Sequence, residues 1–248
     1  MSGTMVVTGG SRGIGRAVAL LAAERGWDVA ISWRNDAEAG QEVLDRIRAM
    51  GRRAIGVQAD VAHEAGVIAL FDAAEAEFGR IDSVIVNAGM LAQAMPLADM
   101  SLERMQRVID VNVIGALLTA REAARRLKRP KDQPSASIVL LSSAAAKLGG
   151  PGEYVDYAAS KGAIDSLNIG LAKELAPQNI RVNAVRPGLI ETEIHASGGN
   201  PDRAQQLAPG VPLGRPGTAE EVAEAILWLA SEQASYVTGT NLEVTGGR

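Results

Sequence analysis

The chain has 248 residues, 47% of them apolar, with a net charge of −4 and a pI near 5.4. That mild acidity and a stock of only three Trp, three Tyr and two Phe disfavour a nucleic-acid partner, which needs a basic face or aromatic stacking platforms. The absence of cysteine excludes a disulfide framework and a thiolate metal site, and the isolated His63 and His195 suggest no metal cluster.

Short β-branched runs alternate with longer helical patterns along the chain. In order, the pattern predicts strand 4–8, helix 14–25, strand 28–33, helix 37–50, strand 54–59, helix 64–78 and strand 83–86. Then come helix 101–128, strand 137–141, helix 154–176, strand 181–185, helix 219–231 and strand 241–244. Strands alternating with helices argue for an α/β fold with a parallel sheet covered on both faces. The near-continuous run Ile138-Val139-Leu140-Leu141 suits a strand buried on both sides. No linker or repeat divides the chain, so one domain over 1–248 is expected. The least regular stretch is 195–217, rich in Gly and Pro, which reads as a binding loop or a disordered excursion. No apolar stretch approaches the ~20 residues of a membrane span, and the strand-like run reached by Met5 leaves no room for a secretory leader. A soluble cytoplasmic protein is the expectation.

The first strand runs through Thr8-Gly9-Gly10-Ser11-Arg12-Gly13-Ile14-Gly15 into the first helix. Glycines there permit a tight turn and let backbone amides approach a pyrophosphate, while the helix turns its positive end toward the anion. A dinucleotide is the ligand this junction suits. Tyr157-Ala158-Ala159-Ser160-Lys161 places a phenol and an ammonium one helical turn apart on one face. A neighbouring cation favours phenolate, so the pair has the makings of an acid/base near neutral pH. By itself that spacing is common on helices.

Together these motifs make the chain resemble the short-chain dehydrogenase/reductase family, in its compact single-domain branch. The resemblance covers nearly the whole chain: Gly9-x-x-x-Gly13-x-Gly15, Asn87-Ala88-Gly89, Val111-Asn112-Val113, Leu141-Ser142-Ser143, Tyr157…Lys161 and Pro187-Gly188-Leu189-Ile190-Glu191-Thr192 appear in the family's order. Tyr236-Val237-Thr238-Gly239 and Thr245-Gly246-Gly247 match its usual C-terminus. It implies a Rossmann-type doubly wound sheet of about seven strands.

The same resemblance implies a catalytic set of Asn112, Ser143, Tyr157 and Lys161. Tyr157 would be the acid/base, Lys161 would lower its pKa and hold the nicotinamide ribose, and Ser143 would hydrogen-bond the substrate oxygen. Asn112 would hold a water linking Lys161 to solvent. Gly9, Ser11, Arg12, Gly13, Ile14, Gly15, Asn87, Ala88, Gly89, Pro187 and Gly188 would line the coenzyme, with Asp60 and Val61 at the adenine and Ile190 and Thr192 at the carboxamide. No metal is implied. Plain structural alternatives stand beside these readings: Asn112 satisfying a backbone carbonyl, Ser143 capping a strand end, Asp60 capping a helix. Tyr154 is a decoy, since residue 158 is Ala.

Val86 stands where many relatives have another Asn, a departure that bears on sheet support more than on chemistry, and two further positions bear on the chemistry. Ser143 precedes Tyr157 by one residue more than is common, which places an extra residue within 147–156 and leaves Ser142 as an alternative hydroxyl. Trp33 occupies the place where NAD-preferring relatives carry Asp, followed by Arg34. With Arg12 nearby, this favours the 2′-phosphate of NADP, NAD remaining usable; Asp36 could soften the preference, and a solvated Arg34 is the alternative.

The pocket should be lined by 91–100, 144–153 and 195–216, offering Gln93, Met95, Leu148, Glu153, Tyr154 and His195. Few fixed charges suit a small neutral ketone, aldehyde or sugar and its alcohol. The overall look is similar to glucose 1-dehydrogenase-like members. A 3-oxoacyl-acyl carrier protein reductase is the alternative, with Arg121, Arg125, Arg126, Lys128, Arg129 and Lys131 as a basic patch for the acidic carrier. A non-catalytic dinucleotide sensor is the alternative of another class. The resemblance also implies a homotetramer packed through the helices 101–128 and 154–176.

Overall fold

Val- and Ile-rich strands too apolar for solvent on either side must be covered on both faces. The computed structural model describes residues 3–248, apart from the side chain of His195. Its strands are β1 (Gly3–Val7), β2 (Trp27–Trp33), β3 (Ala54–Gln58), β4 (Ser83–Val86), β5 (Ala136–Leu141), β6 (Ile180–Pro187) and β7 (Asn241–Val244). They form one parallel seven-stranded sheet in the order β3-β2-β1-β4-β5-β6-β7. The helices are α1 (Gly13–Glu24), α2 (Ala37–Ala49), α3 (Glu64–Phe78), α4 (Leu102–Ile109), α5 (Gly115–Arg126), α6 (Ala145–Leu148), α7 (Val155–Leu175), α8 (Ile194–Ser197), α9 (Arg203–Leu207) and α10 (Ala219–Ala230).

The period-2 alternation of the strands sorts their side chains into two cores. Met5, Val7, Val139 and Leu141 pack with α1, α2 and α10 on one face. Val6, Ile138 and Leu140 pack with α3, α5 and α7 on the other. Strand order reverses between β1 and β4, and such a reversal opens a crevice at the C-terminal strand ends, where ligands of doubly wound sheets bind.

Three elements differ from the sequence reading for identifiable reasons. The single helix expected over 101–128 is interrupted by a π turn, Asp110–Ile114, between α4 and α5. At its centre Asn112 bonds through its amide to the Met90 backbone and Ser160; an apolar periodicity carries no sign of such a tether. Tyr154 lies outside α7, as its N-cap. The stretch 195–217 is folded, not a loose excursion. It holds α9 and most of α8, a bridge ties its Gly217 back to Ile190, and its Ala204 and Val211 pack with Leu189 in a small core.

One glycine pair finds its reason only in three dimensions. A Cβ on Gly40, inside α2, would lie 2.5 Å from the Trp33 ring, and one on Gly56 in β3 would lie 2.2 Å from it. A helix-interior glycine costs about 1 kcal/mol relative to alanine, and the indole occupies the space it leaves.

Candidate active site

The crevice between β1 and β4 is built from backbone. Gly9 and Gly13 have φ of +66° and +55°, open to glycine and strained for other residues. A Cβ on Gly15 would sit 2.2 Å from the Gly9 carbonyl oxygen and 2.5 Å from Asn87 Nδ2, so α1 packs against the turn only because residue 15 has no side chain. Thr8 Oγ1 accepts from the Asn87 and Ala88 amides at 3.0 and 3.1 Å. Asn87 Nδ2 in turn donates to the Thr8 and Gly9 carbonyls at 2.8 and 3.1 Å. The amide of Asn87 therefore shapes the glycine turn. The first turn of α1 carries no acidic residue, and Arg12 makes no side-chain cap, which leaves the helix end open to an anion.

A continuous cleft of about 640 Å³ runs from this turn across the strand ends, within the usual size of a small-ligand site. At one end Trp33, Arg34, Asp36 and Asp60 line it. Trp33 offers a donor and no acceptor, so nothing at that position would hold a ribose hydroxyl as a carboxylate does. Arg34 Nη1 stands 4.0 Å from Asp60 Oδ2. Asp60 caps no helix: Oδ1 accepts from the Ala62 amide at 3.0 Å, and α3 begins after His63. Asp36 accepts from the Ala39 amide at 2.9 Å as the N-cap of α2.

At the other end α7 delivers Tyr157 and Lys161 side by side, the ammonium 5.6 Å from the phenol ring centroid. Lys161 Nζ donates to the Leu141 carbonyl at 2.7 Å. Burial pulls this ammonium down to about 8, with the Asp165 carboxylate opposing the fall. Burial pushes the Tyr157 phenol up, offset by a hydrogen bond with Ser143. The expected lowering of Tyr157 by Lys161 is thus not what this structure shows: the net direction is upward, and the opposing partner is Ser143. Burial weakens the ammonium form of this lysine, and with it the support it can give a phenolate.

Ser143 also accepts from the Ala145 amide at 3.1 Å, which fixes its hydroxyl. Ser142 is turned away, 2.7 Å from Asp165 Oδ1 and 3.2 Å from the Lys161 carbonyl. The hydroxyl at the cleft beside Tyr157 is therefore that of Ser143. In the segment before Tyr157, Gly149, Gly150 and Gly152 all have positive φ, which makes a sharp turn between Ser143 and α7.

Residues 9–248 match the model of the family described as enoyl-(acyl carrier protein) reductase. The chain is 48% identical to an uncharacterized oxidoreductase, YgfF, of Escherichia coli over 98% of both chains. It is 39% identical to glucose 1-dehydrogenase 2 of Bacillus subtilis, over 98% of this chain and 93% of that one. A short-chain dehydrogenase from Burkholderia cenocepacia in complex with NADP superposes with a TM-score of 0.90 at 34% identity, covering 98% of this chain and 96% of that one. A 3-ketoacyl-(acyl-carrier-protein) reductase from Brucella melitensis complexed with NADH gives 0.91 at 32%, covering 99% and 98%.

The chain belongs to the short-chain dehydrogenase/reductase family. It is an oxidoreductase acting on CH–OH groups, with NAD(P) as its coenzyme. The residues of the cleft fit that group: a glycine turn that a Cβ would fill, an uncapped helix end, and Arg12 and Arg34 on the wall beyond it.

Of the positions expected to line this dehydrogenase/reductase cleft, Gly9, Ser11, Arg12, Gly13, Ile14, Arg34, Asp60, Val61, Asn87, Ala88, Gly89, Ser143, Tyr157, Lys161, Pro187, Gly188, Ile190 and Thr192 do so. Gly15 lies behind the turn. The side chain of Asn112 is buried and acts as a brace: Oδ1 accepts from the Met90 amide at 2.8 Å, while Nδ2 donates to the Met90 carbonyl and to Ser160 Oγ, each at 3.0 Å. It still neighbours Lys161, for a point above Gly89 lies 3.4 Å from Asn112 Oδ1 and 3.5 Å from Lys161 Nζ.

On the substrate side Leu148, Glu153 and Tyr154 line the cleft, whereas Gln93 and Met95 do not. The side chain of His195 lies outside the described residues. Sequence reasoning missed Ser32, whose Oγ accepts from the Gly9 amide at 3.4 Å. It also missed Arg203, fifty residues from its partner Glu153.

Proposed function

We propose that this protein is an NADP-preferring reductase of a small neutral carbonyl compound (a ketone, aldehyde or sugar) to its alcohol, with Tyr157 as the proton donor. The observation that carries the reading is the convergence of Ser143, Tyr157 and Lys161 at the inner end of the cleft. The nicotinamide coenzyme, when bound, supplies or accepts the hydride. Ser143 and Tyr157 hold the substrate oxygen; Ser143 stabilises charge growing there and Tyr157 gives it a proton. Lys161 returns the proton to Tyr157, and the open Oδ1 lone pair of Asn112 gives a relay water its place. Burial holds the phenol upward, so it meets the substrate oxygen as a proton donor.

Arg34 and Arg12, with no acid at Trp33, support NADP over NAD. The folded flap 195–217 supports a substrate-binding role for that segment. Exposed Leu102, Ile109, Ile114, Leu117 and Ile169 on α4, on α5 with the turn before it, and on α7 support a homotetramer packed through those helices, which sedimentation tests. No described helix is long and apolar enough to cross a membrane, in keeping with a cytoplasmic place.

An acyl carrier protein reductase is the second reading, favoured by the fold of the Brucella relative. The arginines proposed to greet an acidic carrier are already paired: Arg121 with Glu64, Arg125 with Glu122, Arg126 with Asp72 and Glu75, and Arg129 with Asp82. Lys131 donates to the Ala176 carbonyl. Against a coenzyme sensor stands the Ser143–Tyr157–Lys161 group, which coenzyme binding alone does not require.

The test is a panel of small ketones, aldehydes and sugars with NADPH, comparing wild type with Tyr157→Phe. Wild type should oxidise NADPH with at least one of them. The variant should lose turnover by about 10²–10⁴-fold, the range of general acid catalysis, with NADPH affinity unchanged. Equal turnover in the variant would overturn the assignment.

A further inference from the structure

The substrate end of the cleft is closed by three segments far apart in sequence. The irregular stretch 93–95, the 150–154 turn and the flap carrying α8 and α9 meet there. Ala94 N–H donates to the Gly198 carbonyl at 3.3 Å, and Met95 N–H to the Glu153 carbonyl at 3.1 Å. Tyr154 OH donates to the Gly198 carbonyl at 3.4 Å. Across the gap Arg203 of α9 grips Glu153 with two parallel bonds, Nη1 to Oε1 at 2.9 Å and Nη2 to Oε2 at 2.6 Å. The same guanidinium lies over the Tyr154 ring, 5.1 Å from its centroid. Both charged groups line the cleft, and each occupies the other's fork.

We infer that the Glu153–Arg203 pair is a specificity-determining latch, which closes the flap over Tyr154 and makes the substrate end select neutral carbonyl compounds against carboxylate-bearing ones. This deepens the carbonyl-reductase reading and rests on it. A carboxylate arriving at this rim meets a guanidinium whose bidentate face is already filled, beside a second carboxylate that repels it. A neutral ligand meets the flat Tyr154 ring and the stems of both side chains. The other charges of the cleft lie elsewhere: Glu193 faces the glycine turn, its Oε2 3.6 Å from a Cβ placed on Gly13. Arg248, at the chain end, lines the rim without a share in the latch.

The experiment uses 4-oxopentanoate and its methyl ester, a pair differing in one charge. Binding is measured by calorimetry to the full-length protein saturated with NADP; an oxidised coenzyme and a carbonyl compound do not react, so affinity is read without turnover. Wild type should bind the ester more tightly than the acid by about tenfold, the worth of one 1.4 kcal/mol contact. Glu153→Gln frees a guanidinium and should narrow or reverse that ratio, while Arg203→Gln exposes a carboxylate and should widen it. Arg248→Gln should leave the ratio as it is.

Amide exchange of residues 198–207 should quicken in both single variants and slow again in the charge swap Glu153→Arg/Arg203→Glu. Equal ester-to-acid ratios in wild type, Glu153→Gln and Arg203→Gln would overturn selection by the pair, as would a shift carried by Arg248→Gln. Unchanged exchange in all variants would overturn the latch, including where neither ligand binds. Absence of NADPH or NADH oxidation by wild type with either compound or the wider panel is a separate result, which overturns the reductase reading and leaves the latch to the exchange data.

Discussion

The two ends of the cleft are held together by different kinds of force. At the coenzyme end the shape is set by close backbone packing, with Gly15 beneath the Gly9 carbonyl, and by the hydrogen bonds of Thr8 and Asn87 that lock the ends of β1 and β4. At the substrate end, side chains and loop amides bridge segments that are separated by more than forty residues, through Glu153–Arg203 and the bonds around Gly198. Backbone packed against backbone has no second arrangement to adopt, whereas an ion pair with one partner 41% exposed is open to exchange with solvent and salt. A coenzyme common to many reactions suits the first kind of construction, and a substrate that differs between relatives suits the second.

This contrast is broken most sharply at the two neighbouring serines. Ser143→Ala should lower turnover by about 10²–10³-fold, the scale of one lost donor at a developing oxyanion. Ser142→Ala should chiefly cost stability, because its hydroxyl is tied to Asp165 and α7. Steady-state kinetics beside urea unfolding separates the two, and equal loss of turnover would return Ser142 to the active site.

Gly15→Ala should weaken coenzyme binding and destabilise the fold by about 1–3 kcal/mol, as overpacking does, because a Cβ would lie 2.2 Å from the Gly9 oxygen. Fluorescence titration with NADPH and a thermal melt read both effects. An unperturbed variant would show that the cradle is softer than its geometry implies.

The Lys161 ammonium, pulled down to about 8 by burial, is protonated below that pH and neutral above it. In the proposed reduction a proton passes through it, so kcat/KM for the carbonyl should be level below about pH 8 and fall above, by at most about tenfold per pH unit. Removing the carboxylate that opposes this shift, in Asp165→Asn, should move the fall to lower pH. A profile that rises through pH 8 would contradict the relay.

Smallest is the change expected at Arg34. Arg34→Ala should reduce the preference for NADPH over NADH by about tenfold, one charge-assisted contact of roughly 1.4 kcal/mol. The same ratio of the two affinities before and after would show Arg34 to be a solvated side chain.

Much of this molecule was legible as sequence because its determinants are local. All seven strands and most helices stand within a residue or two of the pattern that predicts them. The glycine turn, Ser143 and the Tyr157–Lys161 pair sit where their motifs place them. The broken helix around Asn112 was not legible, because a π turn preserves the apolar character of its residues while shifting their angles. Nor was the reason for Gly40 and Gly56, which answers to one indole ring in another strand.

By itself the sequence determined the sheet, the cradle and the place of the proposed acid/base pair, since each depends on the spacing of residues within one element or one turn. Only the tertiary structure decided which serine faces the cleft, that burial raises Tyr157 and lowers Lys161, and that Arg203 meets Glu153. Those outcomes depend on desolvation and on distances between remote segments, and neither quantity is written in the order of residues along a chain.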